Sequence, residues 1–143
     1  MIKEEVRERL GDKIKDWQVK NPKRVYFSVE TKDLKETARI LYEEFKMRFA
    51  TASGMDNQDN YEIVYHFSVD RTAEIISVRV VIDKENPKVD SLISLFKGAD
   101  WIEREMHEML GIKFTGHPNL KHLLLRHDWP ENNCPLRKDY IND

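Results

Sequence analysis

Apolar residues recur along this chain at two spacings, and the places where one spacing gives way to the other predict its elements. Ile2, Val6 and Leu10 stand four apart, which predicts a short amphipathic helix ending near Gly11. Ile14 and Trp17 fit either a continuation of that helix or a first strand. Asn21-Pro22 signals a turn. Beyond it Val25, Phe27 and Val29 alternate with Tyr26, Ser28 and Glu30, as in a strand buried on one face. Thr31 suits an N-cap and Asp33 a first helical turn; Leu34, Ala38, Leu41 and Phe45 then give a helix over 32–47. Residues 49–55 predict a short strand and 55–60 a loop. Tyr61, Ile63, Tyr65, Phe67 and Val69 alternate strictly, a turn follows at 70–73, and Ile76, Val78, Val80 and Ile82 supply an antiparallel partner. Asn86-Pro87 breaks the pattern. Asp90 then suits the cap of a helix carrying Leu92, Leu95 and Phe96 and ending at Gly98. The order predicts an α+β fold: a two-layer domain with a mostly antiparallel sheet and helices on one face.

From Ala99 the pattern changes twice. Asp100 and Glu103 suit an N-cap and its reciprocal partner, Ile102, Met106, Met109 and Leu110 form an apolar stripe, and Gly111 suits the residue after a helix end. On that stripe Glu105 falls at the edge, where partial burial calls for a cation, and Arg104 and Glu108 pair on the opposite side. After Gly111 no period remains, yet Phe114, Leu120, Leu123, Leu124, Leu125, Trp129 and Leu136 are too apolar to stay in water. The reading is therefore a domain over 1–110 followed by a long extended C-terminal arm, 111–143, that orders by lying on something.

Composition narrows what that something is. The chain has 143 residues, enough for one domain with its own core. Its 24 basic and 26 acidic side chains nearly cancel, so no overall field draws it to nucleic acid. Cys134 is the only cysteine, which excludes an internal disulfide and favours a reducing compartment. The opening residues lack the apolar stretch of a signal peptide, and no run approaches the ~18 apolar residues of a membrane span, so contact with a membrane is expected only through a partner. His107, His117, His122 and His127, with Cys134, are the candidate metal ligands of an alternative reading, a stand-alone metal-binding protein. Their spacing matches no zinc motif, and His117 precedes a proline, where an imidazole more often bonds a carbonyl. Cys134 has no neighbour to lower its thiol, and there is no phosphate loop, dinucleotide fingerprint or cluster-binding cysteine framework. The chemistry that stands out is Leu136-Arg137-Lys138-Asp139-Tyr140, a charged trio between apolar anchors that suits charge-assisted bonds across an interface.

EREMHEMLGIKFTGHPNL, LLLRHDWP and PLRKDY, in this order and spacing, resemble the thirty-kilodalton subunit of respiratory complex I (NADH-quinone oxidoreductase). The same family has members in F420H2 dehydrogenases and membrane-bound, energy-converting [NiFe] hydrogenases. The match is strongest over 99–140 and looser upstream, in YEIVYHFSV and the turn at 87–91. The resemblance implies a peripheral-arm subunit, without activity of its own, whose C-terminal segment lies across the large catalytic subunit (the forty-nine-kilodalton, [NiFe]-hydrogenase-like chain) at the cytoplasmic face of the cell membrane. It implies no redox cofactor in this chain; iron–sulfur clusters, with flavin or nickel–iron, belong to partner subunits. Matching positions expected to dock and scaffold are Glu103, Arg104, Glu105, His117, Pro118, Leu136, Arg137, Lys138 and Asp139, with Trp129 and Tyr140 as anchors. His107-Glu108, Lys121-His122 and Cys134 depart from the usual complex I pattern, and His107 with the WPExxxPLRKDY ending more closely resembles the hydrogenase and archaeal branches. Which donor and acceptor the complex serves lies in other subunits.

Overall fold

A computed structural model describes residues 2–118. Its elements are α1 (Ile2–Leu10), β1 (Lys15–Asn21), β2 (Arg24–Ser28), α2 (Thr31–Arg39), β3 (Arg48–Asp56), β4 (Asn60–Val69), β5 (Glu74–Asp83), β6 (Lys88–Asp90), α3 (Ala99–Leu110) and β7 (Lys113–Thr115). The fold is mixed α+β. Five strands form one sheet in the order β1-β2-β5-β4-β3, and β6 pairs with β7 in a second, two-stranded sheet. β1 and β2 run antiparallel and β2 and β5 parallel. The short links β3–β4 and β4–β5 return the chain antiparallel, as such brief connections must. The chain divides into two compact units, Met1–Ala52 with Val64–Val80 and Ser53–Ile63 with Val81–Asp143.

In the first unit the alternation foreseen for β2 and β4 is borne out: Val25, Phe27, Tyr65, Phe67 and Val69 are buried, as are Ile76, Val78 and Val80 on β5. Trp17 lies on a strand rather than on a prolonged α1, stacked on Phe27 at 5.8 Å with Arg7 over its ring at 5.0 Å from the centroid. α1 has only 9 residues, too few to hold alone, and its opening N–H groups need acceptors. The carboxylate of Glu74, 1 % exposed, accepts from Ile2 and Lys3 at 3.3 and 3.2 Å.

The second predicted helix is real but shorter. Thr31 is its first helical residue, not its cap; Glu30 takes the extended cap geometry and its carbonyl accepts from Asp33 N–H at 2.9 Å. Beyond Arg39 the helix widens into a π-turn over Ile40–Glu44, where Phe45 N–H reaches the Ile40 carbonyl at 3.2 Å. It ends at Glu44, three residues before the foreseen end, and Lys46 at φ 55° lies beyond it.

In the second unit one expected helix is absent. Asp90 belongs to β6, and residues 92–98 make turns, with Leu95 and Phe96 N–H both returning to the Leu92 carbonyl. Two three-residue strands, β6 and β7, are present that the sequence pattern did not suggest. They pair in parallel, Val89 opposite Phe114, and both side chains are buried. Ile112, at 0 % exposure, and Phe114 therefore tie the start of the C-terminal segment into this unit. Residues 119–143 lie outside the described part.

Candidate docking site

The site grows from α3. Four of its five buried positions, Ala99, Glu103, Met106 and Leu110, follow one another at four, three and four residues, a single helical stripe, and the fifth, Glu108, lies on the opposite side. Met106 and Leu110 press on β3 where Gly54 leaves room: a Cβ there would lie 2.9 Å from Leu110 Cδ1 and 3.2 Å from Met106 Sδ. Glu103 occupies a stripe position that an apolar residue would normally fill. At 1 % exposure its carboxylate must be fully bonded or neutral.

It is bonded. Ser91 Oγ donates to Glu103 Oε1 at 2.5 Å, and Leu92 N–H donates to Oε2 at 2.7 Å. Ser91 Oγ also accepts from Ile93 N–H at 3.1 Å. One carboxylate thus caps the turn at 91–93 from a helix elsewhere in the unit. This corrects the expectation of a capping box: α3 starts at Ala99, with Gly98 as its cap residue and Asp100 in its first turn, and Glu103 reaches across space to another segment instead of back to Asp100. Burial pushes the Glu103 carboxyl above its ordinary range; the Leu92 and Ser91 hydrogen bonds and the His117 charge pull the other way, and Asp100 adds to the rise.

The far end of α3 closes as expected. Gly111 adopts φ 82°, its N–H reaching the His107 carbonyl at 2.8 Å. His107 Nδ1 donates to the Ile112 carbonyl at 2.9 Å, bridging helix end to β7. Beyond β7, His117 turns back: its N–H bonds the Phe114 carbonyl at 3.1 Å, and its buried ring brings Nε2 within 2.9 Å of Asp100 Oδ1. Asp100, Glu103, Ser91 and His117 therefore join three segments at the point where the described chain ends.

The other expected docking residues divide. Arg104 is half-buried, and its Nε, fully buried, meets no hydrogen-bond acceptor among the described residues. Glu105 is exposed and Glu108 is buried, the reverse of the expected placement. Pro118 is exposed. Trp101, on the outer side of α3, is 55 % exposed, and the sequence pattern did not single it out. Nor did it single out Ser91; a carboxylate at a stripe position was the available signal that α3 would need such a donor. Trp129, Leu136, Arg137, Lys138, Asp139 and Tyr140, and of the histidine set His122, His127 and Cys134, lie outside the described residues. Among the described residues, no three His, Cys, Asp or Glu side chains gather as a metal-holding group, and no helix is long and apolar enough to cross a membrane.

Residues 27–143 match the model of the family described as respiratory-chain NADH dehydrogenase, 30 Kd subunit. An NADH-quinone oxidoreductase subunit from Chloroherpeton thalassium is 36 % identical over 141 residues, 94 % of this chain and 58 % of that protein. Its counterpart from a Chelativorans species is 33 % identical, covering 94 % of this chain and 68 % of its own. The chain thus spans roughly three-fifths of the length of such relatives. In fold it is similar to a chain of the membrane-bound sulfane sulfur reductase, an archaeal respiratory membrane complex, with a TM-score of 0.86 at 19 % identity over 98 % of this chain and 84 % of that one. A trypsin-resistant fragment of Nqo5 gives 0.66 at 24 % identity, over 83 % of this chain and 96 % of the fragment.

Proposed function

Because the chain belongs to the respiratory-chain NADH dehydrogenase 30 Kd subunit family, we propose that it is a non-catalytic peripheral subunit of a membrane-associated oxidoreductase. It docks on the large catalytic subunit at the cytoplasmic face of the membrane, as a two-layer domain whose residues after 118 extend over that partner. Its own residues carry no electrons; iron–sulfur clusters, with flavin or nickel–iron, reside in neighbouring chains. NADH–quinone chemistry and energy-converting hydrogenase chemistry both fit such a subunit.

The observation that carries this reading is the family match over 27–143, which takes in α3 and the whole C-terminal segment. The geometry of α3 supports it. Glu103, His107 and His117 all spend their polar atoms on joining segments, as befits a scaffold that must present the root of an arm in one orientation.

An affinity pull-down of the tagged chain from its native membranes, read by mass spectrometry, tests the reading. Recovery of a large hydrogenase-like subunit with iron–sulfur subunits is expected. Truncation after Pro118 keeps Ile112 and Phe114, so it should leave the domain folded while the large subunit is lost. A truncated chain that assembles as well as the full one would remove the docking role from the arm, and a full chain that comes down alone would remove the subunit reading.

A further inference from the structure

An open β-sheet ends in two strands whose outer N–H and C=O groups lack a neighbour, and natural sheets blunt such edges with charge, proline, bulges or brevity. In the order β1-β2-β5-β4-β3 the edges are β1 and β3, and the two are built differently. β1 is blunted. Lys15, Asp16 and Lys20 put charge along it, its pairing with β2 slips between Lys15 and Gln18 and again between Val19 and Asn21, and Asp16 takes φ 53°. The second sheet is blunted by brevity, since β6 and β7 have three residues each.

β3 is guarded by neither charge, proline nor brevity. It runs for 9 residues, and between its ends Phe49, Ala50, Thr51, Ala52, Ser53, Gly54 and Met55 are all uncharged. The charges at the ends are spent within the chain, Arg48 on Asp70 at 3.2 Å and Asp56 on Lys84 at 2.5 Å. No residue of β3 is buried, and Met55 is 42 % exposed. Among the described residues, no backbone hydrogen bond outside the sheet's own ladder involves positions 50–55. What results is a long, neutral edge, the template on which an extended peptide adds as a further strand.

We propose that the outer edge of β3 takes up an extended, uncharged strand of a neighbouring subunit, joined to it by backbone hydrogen bonds. The inference deepens the subunit reading and rests on it. The neutrality of the edge selects a neutral strand, because a charge brought against positions 50–55 would be desolvated with no counter-ion. A second copy of this chain fits less well. α3 crosses β3 at Gly54, where a Cβ would lie 2.9 Å from Leu110 Cδ1 and 3.2 Å from Met106 Sδ. Two copies joined antiparallel through β3 would carry two such helices on one face, above strands about 4.8 Å apart, whereas packed helices need about 8–10 Å between their axes. A strand with no helix above it meets no such conflict. The same crossing sets the edge beside α3, the helix that leads into the C-terminal segment.

Hydrogen exchange over positions 50–55, compared between the free chain and the complex recovered from native membranes, is the test. In the free chain the outward-facing amides should exchange as open backbone, and in the complex they should slow by about tenfold or more. Ser53→Lys with Met55→Lys, at two exposed positions, places charge on the edge. That variant should lower recovery of the partner and restore fast exchange in the complex that remains, with its melting curve intact, whereas Ser53→Thr with Met55→Leu should keep both. Equal exchange in free chain and intact complex overturns the inference but leaves the subunit reading standing. Slow exchange already in the free chain overturns it too, whether sedimentation shows a second copy as the cover or a monomer covered by its own residues. Lysine variants that keep full protection and recovery do the same. If no other subunit is recovered at all, the subunit reading falls and this inference with it.

Discussion

Two clusters of carboxylates in this molecule do opposite kinds of work. Around Arg39, in the first unit, Glu36, Glu43 and Glu44 share one guanidinium at 2.5, 3.5 and 3.3 Å, and Arg9 joins through Glu44 at 2.9 Å. All of these side chains reach solvent. In the second unit a single carboxylate, Glu103, sits at 1 % exposure and accepts one hydroxyl and one backbone N–H. The first cluster has more ions, but water screens each pair and competes for it, so exposed pairs add little. The second has one ion and no alternative partner, so losing it strands both donors. The number of charges is a poor guide to what a cluster holds together; access to water is the better one.

That contrast can be broken in several places. Glu103→Ala should be the most damaging, by about 3 kcal/mol in urea unfolding, because Ser91 Oγ and Leu92 N–H are left buried and unmet. A loss under about 1 kcal/mol would mean that the turn at 91–93 relaxes into water. Ser91→Ala, which removes the bonds to Glu103 and to Ile93 N–H, should cost about 1–2 kcal/mol by the same measurement.

Glu103→Gln sharpens the comparison through pH. Burial raises the native carboxyl above its ordinary 4.5, so the folded chain binds this proton more tightly than the unfolded one. Its contribution is full below the unfolded value and is lost as pH climbs through the native one. The difference in unfolding free energy between wild type and Glu103→Gln should therefore move against wild type as pH rises from 4.5 toward neutrality, and a flat difference would contradict the direction. The exposed cluster should show the smallest effect. Arg39→Ala is expected to shift the melting temperature only slightly, with the shift shrinking further in high salt.

What could be read in advance follows the same division between local and distant causes. β4 and β5 were legible because Tyr61 to Val69 and Ile76 to Ile82 repeat with period two, and α1 and the Gly111 stop were legible from spacing and one glycine. β6 and β7 were not: three residues each, they owe their existence to one another across more than twenty residues of chain, not to any period. Instead of the helix expected at 90–98, Asp90 lies in β6 and residues 92–98 make turns. The stripe on α3 was drawn through Ile102 and Met109, whereas the structure draws it through Ala99 and Glu103 with Met106 and Leu110. A hydrophobic pattern sorts charged residues outward, so one buried charge is enough to misplace the whole face of a helix. The resemblance in EREMHEMLGIKFTGHPNL supplied the family that spacing alone did not, and the family model bears it out.

The carboxylate beneath α1 sets an order of events during synthesis. Ile2 and Lys3 leave the ribosome well before the acceptor for their N–H groups, Glu74, which is 72 and 71 residues behind them. A helix of 9 residues has little stability by itself. α1 must therefore wait, unsettled, until the start of β5 has emerged, so a helix made before the sheet is settled only after it.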